Sequence, residues 1–374
     1  MSSIHGVAEF VVAFTIAVLA LRVANPYALR YGWVDRPHGR KDHEAPTPFT
    51  GGLAIALGVL AALPLSPSLP AAFAAFCFGA LVLLCVGVID DLYNLHWSYR
   101  VVAQSGAALI MVYYGGVRAE YIGLPGDPAS IDLGSLAAPF TVFITLGVIN
   151  AINMADGADG VAGSMTLVSL TLLGVTSAYV GNYDLLDRIV ILAAAVAGFL
   201  VMNMRHPWQP RAAAFLGNSG STILGLAIAW MTIRISHTAG HPVSSILGPW
   251  LVAPPLIDCV ALMLLRVRHG RSPFSADRNH LHHLLLDAGF PTAQVALLLA
   301  TATAVLGLGA MGAMYLHVPQ IALVGVFLMC IAIHYVFLSD RERAIRMLRS
   351  VRGIRAPAEP LAFPTRAGIA DEHF

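Results

Sequence analysis

Long apolar segments alternate with short polar segments along most of the chain. A helix needs roughly 20 apolar residues to cross a bilayer. The pattern therefore predicts an all-α, polytopic integral membrane protein with about 11 transmembrane helices, followed from residue 340 by a basic cytoplasmic tail. The predicted spans in the membrane domain, residues 1–339, are 4–24, 50–66, 69–89, 100–116, 136–152, 161–180, 186–204, 218–236, 246–265, 292–315 and 320–338.

Composition excludes a chain of ordinary soluble domains. Of the 374 residues, 57% are hydrophobic and only 11% are charged, which is about half the charge of a typical soluble domain. The four cysteines lie in apolar segments without a Cys-x-x-Cys pair, so neither a disulfide framework nor a zinc site is indicated. The first apolar segment is too long for a signal peptide and has no basic residue ahead of it, so we interpret it as a retained span.

Basic residues predict the orientation, because loops that stay in the cytoplasm are richer in Lys and Arg. All but three of the 22 Lys and Arg residues fall in one set of predicted loops, and the exceptions are Arg118, Arg188 and Arg234. The richer side is therefore predicted to be cytoplasmic. An odd number of spans then places the N-terminus outside and the C-terminus inside.

Acidic, amide and histidine side chains concentrate on the same predicted cytoplasmic side. A transporter is expected to place polar groups near the middle of the membrane. Asp258 is the main group of that kind, and it lies in the cytoplasmic half of its span. The pattern therefore favours an enzyme that acts at the inner surface of a membrane.

Asp90 and Asp91 stand side by side at the end of the third predicted span. Adjacent carboxylates repel each other, so they require a cation, a basic ligand or good solvation. A helix C-terminus is also unfavourable to anions because of the helix dipole. These properties suit a metal site or a general base. The alternative is a solvated pair with no chemical role.

The segment Asn150–Gly160 joins two apolar segments and carries the carboxylates Asp156 and Asp159. Charge at such a position is expensive unless it faces water, a metal or a ligand. Asn150, Asn153 and Asp156 recur at every third position, so on helical backbone they would share one face. That oxygen-rich face suits a hard cation and a phosphate. The alternative is a polar loop with glycines at its turns.

The loop before the second span mixes basic residues with turn formers. Lys41 and His43 have the chemistry to bind a polyphosphate, and Gly51 and Gly52 allow close approach of the backbone to a ligand. A positive-inside anchor would explain the basic residues equally well. The loop is therefore informative only together with other motifs.

A second polar segment precedes the span at 218–236. Phe215 has a flat ring that suits stacking on another ring. Asn218 or Ser219 is expected to cap the helix, whose free N–H groups form an anion site. The alternative is a core phenylalanine beside an ordinary helix cap.

The loop 272–283 carries Arg278 and three histidines, His280, His282 and His283. A zinc site is one interpretation, but such sites usually include cysteine or acidic partners nearby. Phosphate contacts from this group are the better interpretation. The arginines from 341 to 355 alternate with apolar residues, which is typical of an amphipathic segment on anionic lipid. We predict no catalytic role for that segment.

Together, four of these motifs resemble the polyprenyl-phosphate N-acetylhexosamine-1-phosphate transferase family. The resemblance covers about residues 30–290, and its histidine motif is similar to the branch that makes undecaprenyl-diphosphate-GlcNAc for O-antigen and other cell-envelope glycans. The motifs are Arg40-Lys41-Asp42-His43 with Gly51-Gly52, Asp90-Asp91, Asn150–Gly160 and Asp277–His283.

The resemblance implies an enzyme of the bacterial inner membrane with a cytoplasmic active site. It would transfer GlcNAc-1-phosphate from UDP-GlcNAc to a polyprenyl phosphate and release UMP. The implied cofactor is Mg²⁺, with Mn²⁺ as an alternative. We expect no nucleic-acid partner and leave a homodimer open. The resemblance does not choose between direct attack by the lipid phosphate and a covalent aspartyl intermediate.

The resemblance also implies roles for individual residues. Asp90 would deprotonate or orient the lipid phosphate, with Asp91 supporting it. Asp159 would bind the uracil imide, and Phe215 would stack on the uracil ring. The metal and diphosphate would be bound by Asn153, Asp156 and Asn218, and Asp156 would also be catalytic. The remaining contacts to phosphate and sugar would come from Lys41, His43, Arg278, His280, His282 and His283.

One position departs from the family pattern. The family usually has an aspartate that binds the metal where this chain has Asn218. An amide oxygen binds Mg²⁺ without contributing charge, so we expect weaker metal binding and lower activity.

Three other interpretations of the function stay open. They are a transferase that uses a different UDP-HexNAc or UDP-MurNAc-pentapeptide as donor, a transporter or flippase for a charged lipid or nucleotide sugar, and a membrane scaffold.

Overall fold

The computed structural model describes residues 3–35, 45–66, 69–124, 128, 130–236, 243–273, 275 and 277–353. The described chain is mostly helical, which confirms an all-α multi-pass membrane protein. Its helices are α1 (Ser3–Tyr31), α2 (Gly51–Ala62), α3 (Ala71–Tyr93), α4 (Trp97–Tyr113), α5 (Ala137–Ala155), α6 (Val161–Tyr179), α7 (Tyr183–Asn203), α8 (Gly217–Ser236), α9 (Leu247–Leu251), α10 (Ala253–Arg268), α11 (Leu281–Asp287), α12 (Thr292–Tyr315), α13 (Gln320–Leu338) and α14 (Arg341–Val351).

In the described part of the chain, two short antiparallel strand pairs interrupt the helices. Strand β1 (Val34–Asp35) pairs with β2 (Thr47–Pro48), and β3 (Tyr121–Ile122) pairs with β4 (Ile131–Asp132). The first pair holds the two ends of the loop that contains Lys41 and His43. Those two residues lie outside the described part of the chain, so their predicted role stays a prediction.

Seven helices in the described chain are long and apolar enough to cross a membrane: α1, α3, α5, α6, α7, α12 and α13. The other predicted spans are also helical, but they are shorter or more polar. Helix α2 has 12 residues, α4 has 17 and α10 has 16. The count of eleven spans and their orientation therefore stay predictions.

The span predicted at 246–265 is not one helix. It is divided into α9 and α10, with Val252 between them in a non-helical conformation. Helix α10 begins at Ala253, and Pro254 and Pro255 lie in its first turn. Proline has no backbone N–H to continue a preceding helix and is tolerated in a first turn, which explains why the helix restarts there.

Helix α8 lies at the centre of the bundle. It is buried along nearly its whole length and packs against α2, α3, α5 and α6. Small residues line its contacts, as is common where membrane helices approach closely. By contrast, α13 fully buries only Leu323 and Leu338. Phe327 and Ile331 are partly buried against the core, whereas Ile321 and Ile333 are exposed, as expected for a surface that faces lipid.

Glycines bring α2 and α3 into backbone contact with the start of α8. A Cβ atom on Gly52 would overlap the backbone of Gly220, and one on Gly87 would overlap Ser219. The predicted close approach at Gly51 and Gly52 is therefore real, but it is to another helix. These contacts fix the position of the first turn of α8.

Helix α14, the described part of the basic tail, packs on α11 and α13. Ala344 is fully buried, and Arg341 forms an ion pair with Asp287 at the end of α11. The guanidinium of Arg352 lies over the ring of Phe290 at 5.5 Å. Contact with anionic lipid stays a prediction for this segment.

We predict that Gly52→Ala or Gly87→Ala destabilises the fold, because the added methyl group would force helices apart at backbone contacts. Overpacking of this kind costs about 1–3 kcal/mol. Thermal unfolding in detergent measures the effect. Gly106→Ala in α4 is the matched control, because nothing lies within 4 Å of a Cβ atom there. Equal unfolding midpoints for all three variants would contradict the prediction.

Candidate active site

The first turn of α8, which begins at Gly217, lies between two other helix ends. They are the end of α3 and the end of α5. Asp91 of α3 contacts the backbone of Asn218, and Asn153 of α5 donates from Nδ2 to Oδ1 of Asn218 at 2.8 Å. The structure therefore brings together three motifs that lie far apart in the sequence.

Asp91 caps the N-terminus of α8 from a different helix. Its Oδ1 accepts from the backbone N–H of Asn218 at 2.7 Å, and its Oδ2 accepts from the N–H and the hydroxyl of Ser219 at 3.3 and 3.1 Å. The positive end of the helix dipole also stabilises the carboxylate. The expectation that Asn218 or Ser219 caps this helix was wrong, because an anion from α3 occupies the position.

Asp90 points to different partners from its neighbour. Its Oδ1 accepts from the backbone N–H of Leu95 at 2.8 Å, and its Oδ2 lies 3.4 Å from Nη1 of Arg100 on α4. Asp90 is buried, whereas Arg100 is about one-third exposed. The two adjacent carboxylates are thus stabilised separately, by a helix terminus and by an arginine.

The amides of α5 reach two different neighbours. Asn150 donates to Oε1 of Gln104 on α4 at 2.8 Å, whereas Asn153 donates to Asn218 and to the hydroxyl of Ser221 on α8. Helix α5 ends at Ala155, so Asp156 has left the helical backbone. The predicted shared face of Asn150, Asn153 and Asp156 was therefore wrong.

Asp156 is the one carboxylate of this group without a hydrogen-bonded partner in the described chain. It is half-buried between the negative charges of Asp91 and Asp159. Burial, together with these two carboxylates, raises the pKa of Asp156 to about 8. Positive charge near Asp156 would favour its ionised form.

Asp159 is held by a residue that the sequence motifs do not include. Nε of Arg205 donates to Oδ2 of Asp159 at 2.6 Å, and the backbone N–H of Ala212 donates to the same oxygen at 3.3 Å. Asp159, Arg205 and Phe215 line a cavity of about 950 Å³, together with Trp208, Arg211 and residues 45–48. The predicted uracil-binding pair, Asp159 and Phe215, therefore faces one space.

The histidine motif is compact and mostly buried at the start of α11. The ring centroids of His280 and His282 are 5.5 Å apart, and those of His282 and His283 are 4.2 Å apart. Nε2 of His282 has no hydrogen-bond partner in the described part of the chain. Burial, with smaller effects from His283 and His280, lowers the pKa of His282 well below its usual range, so this imidazole is neutral at neutral pH.

The histidine motif contacts the turn after α5 through a glycine. A Cβ atom on Gly157 would overlap the imidazole of His282. Arg278, which was predicted to bind phosphate, lies 3.7 Å from Asp287 of α11. The structure thus places His282 beside the Asp156 turn and pairs Arg278 with the end of α11.

The donor groups around Asp156 fit a hard cation. No group of three His, Cys, Asp or Glu side chains that would suffice for a metal exists in the described residues. Asp156 has an unpaired carboxylate, and Asn153 and Asn218 add amide oxygens. Mg²⁺ typically takes one or two protein carboxylates and completes its shell with water and substrate phosphates, so this set fits Mg²⁺.

Comparison with known proteins gives the family. The family model described as "Glycosyl transferase family 4" matches residues 73–236. A protein of Haemophilus influenzae is 32% identical over 351 residues, which are 94% of this chain and 98% of that protein. The chain belongs to glycosyl transferase family 4. Relatives from Yersinia pestis and Escherichia coli K12 are 29% and 28% identical, cover 91% and 92% of this chain, and are themselves covered over 93% and 94% of their length.

All three relatives carry the name undecaprenyl-phosphate alpha-N-acetylglucosaminyl 1-phosphate transferase. The family 4 region spans α3 to α8, so it includes Asp91, Asn153 and Asn218 at the first turn of α8. The histidine motif lies beyond that region but within the longer alignments. The resemblance inferred from the four motifs is therefore confirmed at the level of the family.

Two arginines of this family 4 site were missed by sequence reasoning. In the sequence analysis, Arg100 and Arg205 served only as basic residues that predict the orientation of the chain in the membrane. The available signals were weak: Arg100 lies one helical turn into α4 after the Asp90-Asp91 pair, and Arg205 precedes Phe215 in the same loop. Their partners are identified only by the folded structure.

We predict that Gly157→Ala displaces the ring of His282, because the new methyl group would occupy its position. Modification of His282 by diethyl pyrocarbonate, located by mass spectrometry, should increase several-fold. Gly147→Ala in α5 is the control, since a Cβ atom there meets nothing within 4 Å. Labelling of His282 that stays at the unmodified level would count against the packing described here.

Proposed function

We propose that this protein transfers GlcNAc-1-phosphate from UDP-GlcNAc to undecaprenyl phosphate and releases UMP. The supporting observation is that Asp159 and Phe215 line one cavity while Asp91 bonds the first turn of α8, which follows Phe215 in the chain. The relatives in family 4 bear that activity in their names. Clustering of the polar groups at helix ends favours an enzyme over a transporter.

The donor nucleotide fits the cavity of about 950 Å³ beside Asp159. Phe215 offers a ring for stacking on uracil, and the Asp159 carboxylate offers an acceptor for the imide N–H. Arg205 and Arg211 line the same cavity and would balance the charge of the diphosphate. Arg205 has a second role, because it holds Asp159 in place at 2.6 Å.

The lipid acceptor fits a separate apolar cavity of about 570 Å³. This cavity is lined by residues of α4, α5, α8, α10 and α13, among them Val101, Asn150 and Cys259. Arg100 precedes Val101 and contacts Asp90 at 3.4 Å. A lipid phosphate near Arg100 would therefore have a positive partner and a carboxylate beside it, with its isoprenoid chain in the apolar space.

Asp156, Asn153 and Asn218 are the residues that would hold the divalent cation. The cation, when bound, neutralises charge that develops on the diphosphate and on the leaving UMP. Asn153 also fixes the side chain of Asn218 through its 2.8 Å hydrogen bond. Asp91 contributes indirectly, since it holds the backbone of Asn218 by capping α8.

In the proposed reaction an oxygen of the lipid phosphate bonds to the β-phosphorus of UDP-GlcNAc. The bond between that phosphorus and the bridging oxygen breaks, and the electron pair leaves with UMP. Asp90 orients the attacking phosphate and accepts its proton when that phosphate is protonated. His282 and His283 contact the transferred group from the side of the Asp156 turn. We place this chemistry at the cytoplasmic face of a bacterial inner membrane, because the basic loops and the site residues share one side.

Purified protein with undecaprenyl phosphate, Mg²⁺ and UDP-GlcNAc should release UMP in a lipid-dependent manner. Release with UDP-GalNAc or UDP-MurNAc-pentapeptide should be much slower. Asp90→Asn should lower the rate by at least about 100-fold, the usual contribution of a positioned acid or base. Asp184→Asn, which removes a half-exposed carboxylate from α7, should leave the rate unchanged. Faster release with either other donor would refute the assigned substrate.

Asn218→Asp should lower the Mg²⁺ concentration needed for half-maximal activity by roughly tenfold, because a carboxylate adds charge that an amide lacks. The titration of UMP release with Mg²⁺ measures this. Asn182→Asp is the matched control, because Asn182 caps α7 through its side-chain oxygen and aspartate caps equally well. An unchanged Mg²⁺ dependence in Asn218→Asp would show that residue 218 does not bind the metal.

A further inference from the structure

The carboxylate of Asp258 is buried and has no part in the proposed reaction. Asp258 lies on α10 and is 7% exposed. A buried charge is costly unless it is paired and hydrogen-bonded. Its environment therefore indicates why the chain carries an acid within an apolar helix.

Asp258 binds three donors from two other parts of the chain. Its Oδ2 lies 2.7 Å from Nδ1 of His280, and its Oδ1 lies 3.1 Å from the backbone N of Leu281 and 2.9 Å from Nε2 of His334. A carboxylate only accepts hydrogen bonds, so each of these nitrogens donates. Asp258 thus joins the start of α11 to α13.

His280 is fully engaged by this network. Because Nδ1 donates to Asp258, Nε2 of the neutral ring is the acceptor. Nη2 of Arg266 lies 3.4 Å from that Nε2, and an arginine can only donate. Arg266 also bonds Asp277 at 2.8 Å and the carbonyl of Pro273 at 2.7 Å. His280 is therefore an anchor of its loop, and neither of its nitrogens faces a ligand.

The other two histidines depend on that anchor for their position. His282 follows His280 by two residues, in the first turn of α11, whose backbone N–H at Leu281 is bonded to Asp258. The rings of His280 and His282 are stacked with an interplanar angle of 15°. Beyond this stack, Nε2 of His282 is buried against the turn at Gly157 without a partner in the described chain. A shift of His280 would move His282 away from the Asp156 turn.

We propose that Asp258 is a positioning residue for the His282–His283 pair, with His334 of α13 as its second support. This proposal rests on the proposed function for its kinetic consequence. Asp258 acts through His280 and touches no reacting atom. The role explains both the buried charge of α10 and the presence of a histidine in the otherwise apolar α13.

The test compares four variants of the full-length chain. Asp258→Asn removes the charge and turns one acceptor into a donor. His334→Phe removes the second support, whereas His334→Gln keeps an N–H that can reach Asp258. Ser169→Ala is the control, because it deletes a buried 2.6 Å hydrogen bond to the carbonyl of Leu251 away from the site. Each variant is assayed by diethyl pyrocarbonate labelling of His280 and His282 and by UMP release.

Asp258→Asn and His334→Phe should raise the labelling of both histidines. They should also raise KM for UDP-GlcNAc or lower kcat, so that kcat/KM falls about 10- to 100-fold, the cost of a misplaced group near the reaction. KM for the lipid should stay constant. His334→Gln should restore most of the activity lost in His334→Phe, and Ser169→Ala should affect only the unfolding temperature.

Two results would overturn the proposal. One is unchanged labelling in Asp258→Asn. The other is increased labelling with unchanged kcat and KM, which would make the network purely structural. If Asp258→Asn fails to fold, the same two results are sought in His334→Phe, with His334→Gln as the variant that should restore activity. Absence of UMP release from the unmodified chain would contradict the proposed function instead, and labelling alone would then decide whether Asp258 holds the histidines.

Discussion

The hydrogen bonds from the first turn of α8 to the Asp91 carboxylate are the contact on which the site depends. They place an anion from α3 at the positive end of a buried helix. Gly52 and Gly87 allow α2 and α3 to touch that same turn. Asn153 then connects it to α5. The geometry of the site is thus set by side-chain hydrogen bonds and close backbone contacts around one helix terminus.

The four carboxylates of the candidate site differ in the partners that stabilise their negative charge. Asp90 is paired with Arg100, Asp91 with the α8 terminus and Asp159 with Arg205, whereas Asp156 has no such partner in the described chain. The proposed site for a diphosphate and a divalent cation needs a carboxylate that is still available. Asp156 meets this condition because its neighbours Asp91 and Asp159 already have their own partners. In the proposed function, the apolar cavity takes the lipid and the polar cavity takes the nucleotide.

Sequence reasoning was most successful where the signal is local. The span predicted at 161–180 is helix Val161–Tyr179, and that at 292–315 is Thr292–Tyr315, because the length of an apolar segment is readable from the chain. The break at Val252 was missed, although Pro254 and Pro255 mark it. Partners could not be predicted, since Asp91 and Asn218 are 127 residues apart and Asp159 and Arg205 are 46 apart. Charge alone does not indicate which arginine reaches which carboxylate.

The most direct test of the account follows the β-phosphate of the donor. Purified protein is incubated with undecaprenyl phosphate, Mg²⁺ and UDP-GlcNAc that carries ³²P in its β-phosphate, and the lipid and aqueous phases are then separated. The account predicts that the label enters the lipid phase as lipid-diphosphate-GlcNAc, while the released UMP is unlabelled. Label recovered in the aqueous phase as UDP would mean that only the sugar is transferred, and the proposed phosphoglycosyl transfer would be contradicted.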